Sequence, residues 1–155
     1  GDTLPREPIA FGDVVGSVVA SLRPTADAAR IAVRTTISPV TIPGDAVLLE
    51  QLVENLVRNA IVHNVADGVV DVELSTRADG AVLVIQNSGP VVDAAIVDSL
   101  VEPFVRARSR MRTGSADGQG LGLAIVDAIV DVHGGRLSLS ARAEGGLRVE
   151  VALPA

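Results

Sequence analysis

The chain has 155 residues, of which 48% are apolar, and this is enough material for one folded domain with a buried core. It has no cysteine, which excludes disulfides and thiolate metal sites, and its net charge of −6 disfavours general binding to nucleic acid. All 13 basic residues are arginine, so neither a P-loop lysine nor the strand lysine of eukaryotic-type protein kinases is available.

The first half of the chain is predicted to alternate strands and helices after a short lead-in. Residues 1–8 are expected to be a linker remnant, with one domain over residues 9–155. Periodicity and turn residues predict a strand start at 9–11, a helix over 12–29 that Pro24 divides or ends, a strand over 30–37, a turn containing Pro39, Pro43 and Gly44, and a helix over 46–64 with Asp45 as its N-cap.

The second half is predicted to contain two hairpins, a lid and a buried helix. The predicted elements are strands over 69–77 and 81–87, a short helix over about 93–100, a mobile surface loop over 105–119, a core helix over 120–132, and strands over 136–143 and 147–154. Together these elements predict an α+β fold: a two-layer sandwich in which three main helices cover one face of a mixed sheet of about five strands. No window reaches the roughly 20 apolar residues of a membrane helix, so we expect this chain to make no membrane contact.

Two asparagines mark the helix predicted over 46–64 as a candidate magnesium site. Asn55, Asn59 and His63 recur every fourth residue along the border of its apolar face, where one ligand would touch all three. Mg²⁺ prefers oxygen ligands and often takes only one or two from the protein. An open alternative is that the amides satisfy neighbouring backbone groups.

Two further segments have the composition of a nucleotide site. Asn87 and Gly89 follow an apolar strand, so the asparagine oxygen would accept a hydrogen bond from an adenine amino group while the glycine admits a flat base. Gly118, Gly120 and Gly122 precede a buried helix, where exposed amides and the helix dipole stabilise phosphate. An ordinary turn also explains the first segment.

The arginines of one segment and one histidine could have either a functional or a purely structural role. The loop predicted over 105–119, the lid, contains four arginines that would bind phosphates: Arg106, Arg108, Arg110 and Arg112. Arg112 is the nearest of them to the glycines. A solvent-exposed charged loop is an alternative explanation for at least two of the four. His133 stands at a helix C-terminus before two glycines, where a cap favourable to the helix dipole gives it a structural role.

Four segments resemble, in order, the N, G1, F and G2 boxes of the ATP-binding catalytic domain of bacterial sensor histidine kinases, within the GHKL superfamily. They are EQLVENLVRNAIVHN, VIQNSGP, EPF and GQGLGLAIVDAIVDVHGG. The resemblance extends from about residue 9 to residue 153. It implies an α/β sandwich that binds ATP beneath a flexible lid.

The resemblance also assigns roles to individual residues. Asn59 would hold Mg²⁺ with Asn55 as its companion toward the phosphates, and His63 would occupy the place of an aromatic near adenine. Asn87 would read adenine, followed by Gly89. The phosphate loop would comprise Gly118, Gly120, Leu121 and Gly122, and Arg112 would act with Asn55 in catalysis.

Three positions depart from the family pattern. Asn87 replaces the usual aspartate and loses its charge, which would lower adenine affinity. Val91 replaces the second glycine of the G1 box. Val62 stands where many relatives place a basic phosphate contact, which leaves that role to a lid arginine.

Asn55 favours phosphoryl transfer over ATP hydrolysis. Relatives that hydrolyse ATP place a glutamate at this position to activate water, and an amide cannot act as a general base. The resemblance therefore implies a protein-histidine kinase domain that uses ATP and Mg²⁺. Its partners would be a histidine-bearing dimerisation domain of the same full-length protein and a response regulator, and its location would be the cytoplasmic side of a membrane-anchored sensor. No HELRTPL-like stretch is present, so this chain would not autophosphorylate in isolation. The alternatives are an anti-sigma-factor-type serine kinase and a non-catalytic nucleotide-binding module.

Overall fold

The computed structural model describes residues 6–89 and 118–155, and for residues 118–122 it describes the backbone alone. The helices are α1 (Phe11–Ala28), α2 (Ala46–Val62) and α3 (Gly118–Val132). The strands are β1 (Glu7–Ala10), β2 (Ala32–Ile37), β3 (Thr41–Gly44), β4 (Val69–Arg77), β5 (Gly80–Asn87), β6 (Arg136–Ala141) and β7 (Leu147–Pro154).

Five of these strands form one mixed sheet in the order β2-β4-β5-β7-β6. β2 runs parallel to β4, and the other neighbouring pairs are antiparallel. The registers are fixed by apolar residues that face the helices; Ile85, for example, pairs with Val72 on one side and with Val149 on the other. The predicted α+β architecture, with three helices and a five-stranded mixed sheet, is confirmed.

Alternation along the strands explains why the helices lie on one face of this sheet. On β4, Val70, Val72 and Leu74 are buried, whereas Glu73 is exposed. Burying each such side chain contributes about 1.5–3 kcal/mol, so this register is strongly favoured over a slip by one residue. The helices complete the core with large side chains that are almost fully buried, among them Phe11, Val15, Leu49, Leu52, Val53 and Val126.

The structure corrects the predicted turn at residues 38–44. Thr41–Gly44 is a strand, β3, that pairs with β1 in a separate two-stranded sheet, with Ile9 opposite Ile42. Proline lacks an amide hydrogen and signals a turn, but an edge strand tolerates it. Pro43 lies in such a strand, so the proline content of this segment misled the prediction.

The predicted effect of Pro24 is also wrong. α1 continues through Pro24 to Ala28 instead of ending or dividing there. Leu22 and Ala26 on either side of the proline are buried in the core, and this packing holds the last turns in place. The helix then closes at Arg30, whose φ of 61° is left-handed.

Other boundaries agree closely with the sequence. The side chain of Asp45 accepts a hydrogen bond of 2.9 Å from the amide of Leu48, which confirms the predicted N-cap of α2. The buried helix begins at Gly118, two residues before its predicted start. The predicted short helix over 93–100 lies outside the described residues, as does the predicted lid up to residue 117.

Candidate functional site

One edge of α2 carries the two asparagines predicted to meet a ligand. Leu49, Val53, Leu56 and Ala60 form the buried face of the helix, as predicted. On the solvent side, the carboxylate of Glu54 pairs with Arg58 at 2.7 Å, one turn away. Asn55 and Asn59 are half-buried between the two faces, so they lie on the border that the periodicity predicts.

Asn55 has a buried amide donor without a partner. Its Nδ2 is inaccessible to solvent, and within residues 6–89 and 118–155 no atom accepts a hydrogen bond from it. Leaving such a group unpaired costs about 1–3 kcal/mol. The donor nitrogen of Asn55 therefore satisfies no neighbouring backbone carbonyl among the described residues. A donor of this kind fits a ligand that brings acceptor oxygens, as a phosphate does.

His63 closes the same helix. Its backbone amide donates to the carbonyl of Asn59 at 3.0 Å, and its side chain is exposed. Val62, beside it, is 61% exposed. The C-terminal end of α2 therefore presents an imidazole and an apolar side chain to solvent, with no basic residue in the last turn.

Asn87 ends β5 and is buried, with only 8% of its surface exposed. Its Nδ2 donates to the carbonyl of Ser88 at 3.0 Å, and this bond orients the amide so that Oδ1 remains as the acceptor. The predicted adenine contact requires an acceptor of this kind.

The turn between β6 and β7 packs against this end of β5. Gly146 has a left-handed φ of 85°, and a Cβ atom there would overlap the carbonyl oxygen of Asn87. A Cβ atom on Gly89 would lie 3.4 Å from the Cα of Gly146. The sequence predicts only that Gly146 lies between the strands of the last hairpin, because its closeness to Asn87 arises from the pairing of β5 with β7.

A side-chain network joins the ends of α2, β4 and β5. The hydroxyl of Ser88 donates to Oδ1 of Asn64 at 2.8 Å and accepts from the amide of Val69 at 2.8 Å. Nδ2 of Asn64 donates to the carbonyl of Val69 at 3.0 Å. The pairing of Asn64 with Ser88 is not predictable from the sequence, because the two residues are 24 positions apart and no periodicity relates them.

The predicted phosphate-loop glycines lie at the start of α3. Gly118, Gly120 and Gly122 are helical in backbone conformation, and the first amides of a helix have no partner within it. α2 packs against α3 and also contacts β4 and β5. The fold therefore sets the asparagine-bearing helix beside the helix that carries the glycines. Arg112 lies outside the described residues.

The side chain of His133 contacts both the last turn of α3 and the N-cap of α2. Its side chain is 4% exposed, Nε2 accepts from the backbone amide of Asp45 at 3.2 Å, and Nδ1 lies 2.8 Å from the carbonyl of Ile129. Because one ring nitrogen accepts, the other carries the hydrogen and donates to Ile129. The imidazole thus bridges α3 to the N-cap of α2 through its two ring nitrogens.

A shallow groove of about 190 Å³ lies on the face of the sheet opposite the helices. Its lining includes Arg34, Asp71 and Gln86. Asp71 raises the pKa of Arg34, first through a side-chain hydrogen bond and then through its charge, against an opposing effect of desolvation. Arg34 is therefore protonated throughout the physiological pH range. The groove lies on the other side of the sheet from α2, the helix that carries Asn55 and Asn59.

Two general features concern metals and membranes. Within the part of the chain that the structure describes, no three His, Cys, Asp or Glu side chains gather into a group able to hold a metal ion. Across residues 6–89 and 118–155, no helix has the length and apolar character needed to cross a bilayer.

Comparison with protein families gives a match over residues 44–155 to the model described as histidine kinase-, DNA gyrase B-, and HSP90-like ATPase. The sensor protein CutS of Streptomyces coelicolor is 42% identical over 150 residues, which cover 96% of this chain and 36% of that protein. The probable sensor histidine kinase TcrY of Mycobacterium tuberculosis is 42% identical over 102 residues, covering 66% of this chain and 21% of TcrY. The chain thus spans about a third or less of the length of these relatives.

Solved structures show the same architecture. The mycobacterial sensor histidine kinase MprB superposes with a TM-score of 0.78 at 30% identity, covering 96% of this chain and 97% of that one. The ATP-binding domain of PrrB from Mycobacterium tuberculosis gives a TM-score of 0.75 at 24% identity, with 97% and 98% covered, and shows the fold alone.

Proposed function

Because the chain belongs to the family of histidine kinase-, DNA gyrase B-, and HSP90-like ATPases, we propose that it binds Mg-ATP between α2 and α3 and delivers the γ-phosphoryl group to a histidine of another domain. The observation that carries this proposal is the buried, unpartnered amide nitrogen of Asn55 on α2, the helix that packs beside the glycine-bearing α3. A nucleotide phosphate would supply the acceptor that this amide lacks.

Each residue of the proposed site has a distinct role. The carbonyl of Asn59 would hold Mg²⁺, which neutralises phosphate charge, while Nδ2 of Asn55 donates to a phosphate oxygen. Oδ1 of Asn87 would accept from the adenine amino group, next to Gly89, with His63 near the base. The amides at Gly118, Gly120, Leu121 and Gly122 would bind the phosphate chain. Arg112 would add positive charge.

We propose transfer of the phosphoryl group to an imidazole, and not to water, because Asn55 cannot act as a general base. An amide has no basic nitrogen, so it cannot take a proton from water as a glutamate would. The proposed step breaks the bond from the γ-phosphorus to the oxygen that bridges it to the β-phosphorus and forms a bond to the unprotonated nitrogen of an imidazole. ADP leaves with the bridging oxygen, and the proton on the other ring nitrogen passes to solvent. Positioning and charge neutralisation would supply the catalysis.

One partner proposed for this chain belongs to the same full-length protein, and the other is a separate protein. A dimerisation domain would carry the acceptor histidine, and a response regulator would take the phosphoryl group onto an aspartate. The domain would work on the cytoplasmic side of a membrane-anchored sensor.

A second candidate is a module that holds nucleotide without transferring phosphate. Two observations favour it: α2 presents Val62, 61% exposed, where the resemblance places a basic residue, and the adenine acceptor is the neutral Asn87. Both changes remove charge from the site, so nucleotide affinity and catalysis would both fall.

Label transfer from γ-labelled ATP distinguishes these functions. The chain is mixed with a dimerisation domain whose acceptor histidine is verified, and acid treatment then separates acid-labile phosphohistidine from acid-stable phosphoserine. We expect acid-labile label on the acceptor. Acid-stable label would indicate a serine kinase, binding without transfer would indicate the non-catalytic module, and absence of binding would refute all three.

A further inference from the structure

Ser88 and Asn64, which lie outside the helices and strands, hydrogen-bond to each other and to the backbone of Val65 and Val69. The Ser88 hydroxyl donates to Asn64 Oδ1 at 2.8 Å, and the same Oδ1 accepts from the amide of Val65 at 2.8 Å. The other half of the Asn64 amide donates to the carbonyl of Val69, which also accepts from the Ser88 amide at 3.0 Å. The side-chain polar atoms of Ser88 and Asn64 are therefore all hydrogen-bonded within this group.

These bonds connect the two ends of the proposed nucleotide site. Ser88 directly follows Asn87, the proposed adenine acceptor, at the end of β5. Asn64 directly follows His63, which caps α2, the helix that carries Asn55 and Asn59. The Ser88–Asn64 bond is thus a side-chain link between the strand end that would read the base and the helix that would hold the metal and phosphates.

Gly68 provides the space for this link. A Cβ atom on Gly68 would overlap Asn64 Oδ1, and it would lie 2.6 Å from the hydroxyl of Ser88 and 2.7 Å from the carbonyl of Val65. The last of these is a backbone atom and cannot swing away. A side chain at residue 68 would therefore push the two partners apart.

We propose that the Ser88–Asn64 hydrogen bond is a clasp that fixes the separation of the adenine-binding strand end from the metal-binding helix, so that Ser88 and Asn64 are positioning residues for the nucleotide. The inference rests on the proposed Mg-ATP site. A ligand that contacts both elements gains affinity when their spacing is held in advance, whereas a ligand that contacts one element gains little.

The test compares Mg-ATP, which would reach from Asn87 to Asn55 and Asn59 on α2, with adenosine, which lacks the phosphates and metal that these two asparagines would bind. Affinities are measured by calorimetry for Mg-ATP and by NMR titration for adenosine, on the unaltered chain and on Ser88→Ala, Asn64→Ala and the double variant. The matched control is Ser75→Ala, which removes a half-buried hydroxyl from β4 on the face opposite the helices.

Each single variant removes the Ser88–Asn64 bond along with the other bonds of the deleted side chain. We therefore expect each to bind Mg-ATP about five- to tenfold more weakly, with adenosine affinity changed less than about twofold. The double variant should lose no more than about twofold beyond either single one, because both remove the same bond. Ser75→Ala should bind both ligands like the unaltered chain. Equal weakening of the two ligands would show a merely structural role and overturn the clasp, as would additive losses in the double variant.

Thermal unfolding of each variant keeps the test decisive. If Ser88→Ala gives no cooperative unfolding transition, Asn64→Ala, which alters the other partner, decides the outcome alone. Failure of the unaltered chain to bind Mg-ATP would remove the proposed function together with the clasp. Binding by the unaltered chain, with an unchanged Mg-ATP to adenosine ratio in the variants, would remove the clasp alone.

Discussion

The most informative single residue is Asn55, because a folded protein rarely buries an amide donor without a partner. The half-buried position of this side chain beside the apolar face of α2 offers no stabilising reason for an amide. A ligand that accepts a hydrogen bond offers one. The unpaired amide would then lower the stability of the ligand-free protein, and a hydrogen bond to the bound ligand would restore that stability.

Replacing Asn55 by leucine should separate stability from binding. The change removes the unpaired donor, so we expect the free energy of unfolding to rise by about 1 kcal/mol, which raises Tm by about 2–4 °C. Affinity for Mg-ATP should fall at least about tenfold, because the donor to phosphate is lost. Calorimetric titration and thermal unfolding measure the two effects.

The matched control is Arg58→Ala, which alters an exposed ion pair one turn away on the same helix and should change neither quantity appreciably. A leucine variant with lower Tm and unaltered affinity would mean that Asn55 has a structural role.

Asn87 should determine the choice of base. Its Oδ1 is oriented as an acceptor by the bond from Nδ2 to Ser88, and adenine presents an amino group where guanine presents a carbonyl. Asn87→Ala should therefore weaken ATP binding about tenfold and remove most of the preference for ATP over GTP. Competition binding with the two nucleotides measures this preference.

Gln86→Ala is the control for this change, since Gln86 precedes Asn87 on β5 and faces the groove on the opposite side of the sheet. Retention of the full ATP preference by Asn87→Ala would place the base elsewhere.

At the scale of elements, His133 connects two helices that the proposed site requires side by side. The ring bonds to the backbone of Asp45 and of Ile129, and Gly44 leaves room for it, since a Cβ atom there would lie 2.8 Å from the imidazole. The C-terminus of α3 is thereby held against the N-cap of α2. The orientation of α3 also sets where its glycine-bearing first turn lies.

His133→Ala should therefore destabilise the chain markedly. Loss of two buried hydrogen bonds and creation of a cavity should lower the free energy of unfolding by about 2–4 kcal/mol, which lowers Tm by about 5–12 °C. Thermal or urea unfolding measures the change. Val132→Ala, at a neighbouring side chain that is 48% exposed, should cost less than about 0.5 kcal/mol. Equal stability of the two variants would contradict the bridging role.

The elements differ in how far the sequence could predict them. β4 and β5 were predictable, because alternation on β4 and a two-residue hairpin turn between them are local signals. β3 was not, because Pro39, Pro43 and Gly44 signal a turn and only pairing with β1 makes the segment a strand. The continuation of α1 through Pro24 likewise depends on tertiary packing of Leu22 and Ala26.

The proposed site likewise has features that the sequence could predict and features that depend on the fold. The border position of Asn55 and Asn59 followed from helical periodicity, which is a property of the sequence alone. The unpaired state of the Asn55 amide, the Ser88–Asn64 bond and the packing of Gly146 on Asn87 did not, because each depends on which segments the fold brings together.

At the scale of the whole molecule, the sheet separates two surfaces of different character. One face is covered by three helices and carries the proposed nucleotide site along α2 and α3. The other presents a polar surface with the Arg34–Asp71 ion pair, whose nitrogen and oxygen lie 2.8 Å apart. Ligand binding should therefore stabilise the helical layer.

Saturating Mg-ATP should raise the Tm of the unaltered chain. At a free concentration about one hundred times the Kd, binding to the folded state adds about 2.7 kcal/mol, which corresponds to a rise of about 5–10 °C. Scanning calorimetry with and without nucleotide measures the shift, and GTP at the same concentration should give a smaller one.

Calorimetric titration of ATP into the unaltered chain and into Asn59→Ala, once in magnesium and once in EDTA, tests the central assignment most directly. The unaltered chain should bind one nucleotide, with affinity at least about tenfold higher in magnesium than in EDTA, and Asn59→Ala should lose most of that difference. Absence of binding by the unaltered chain, or a magnesium effect that Asn59→Ala retains in full, would contradict a site built on the asparagine edge of α2.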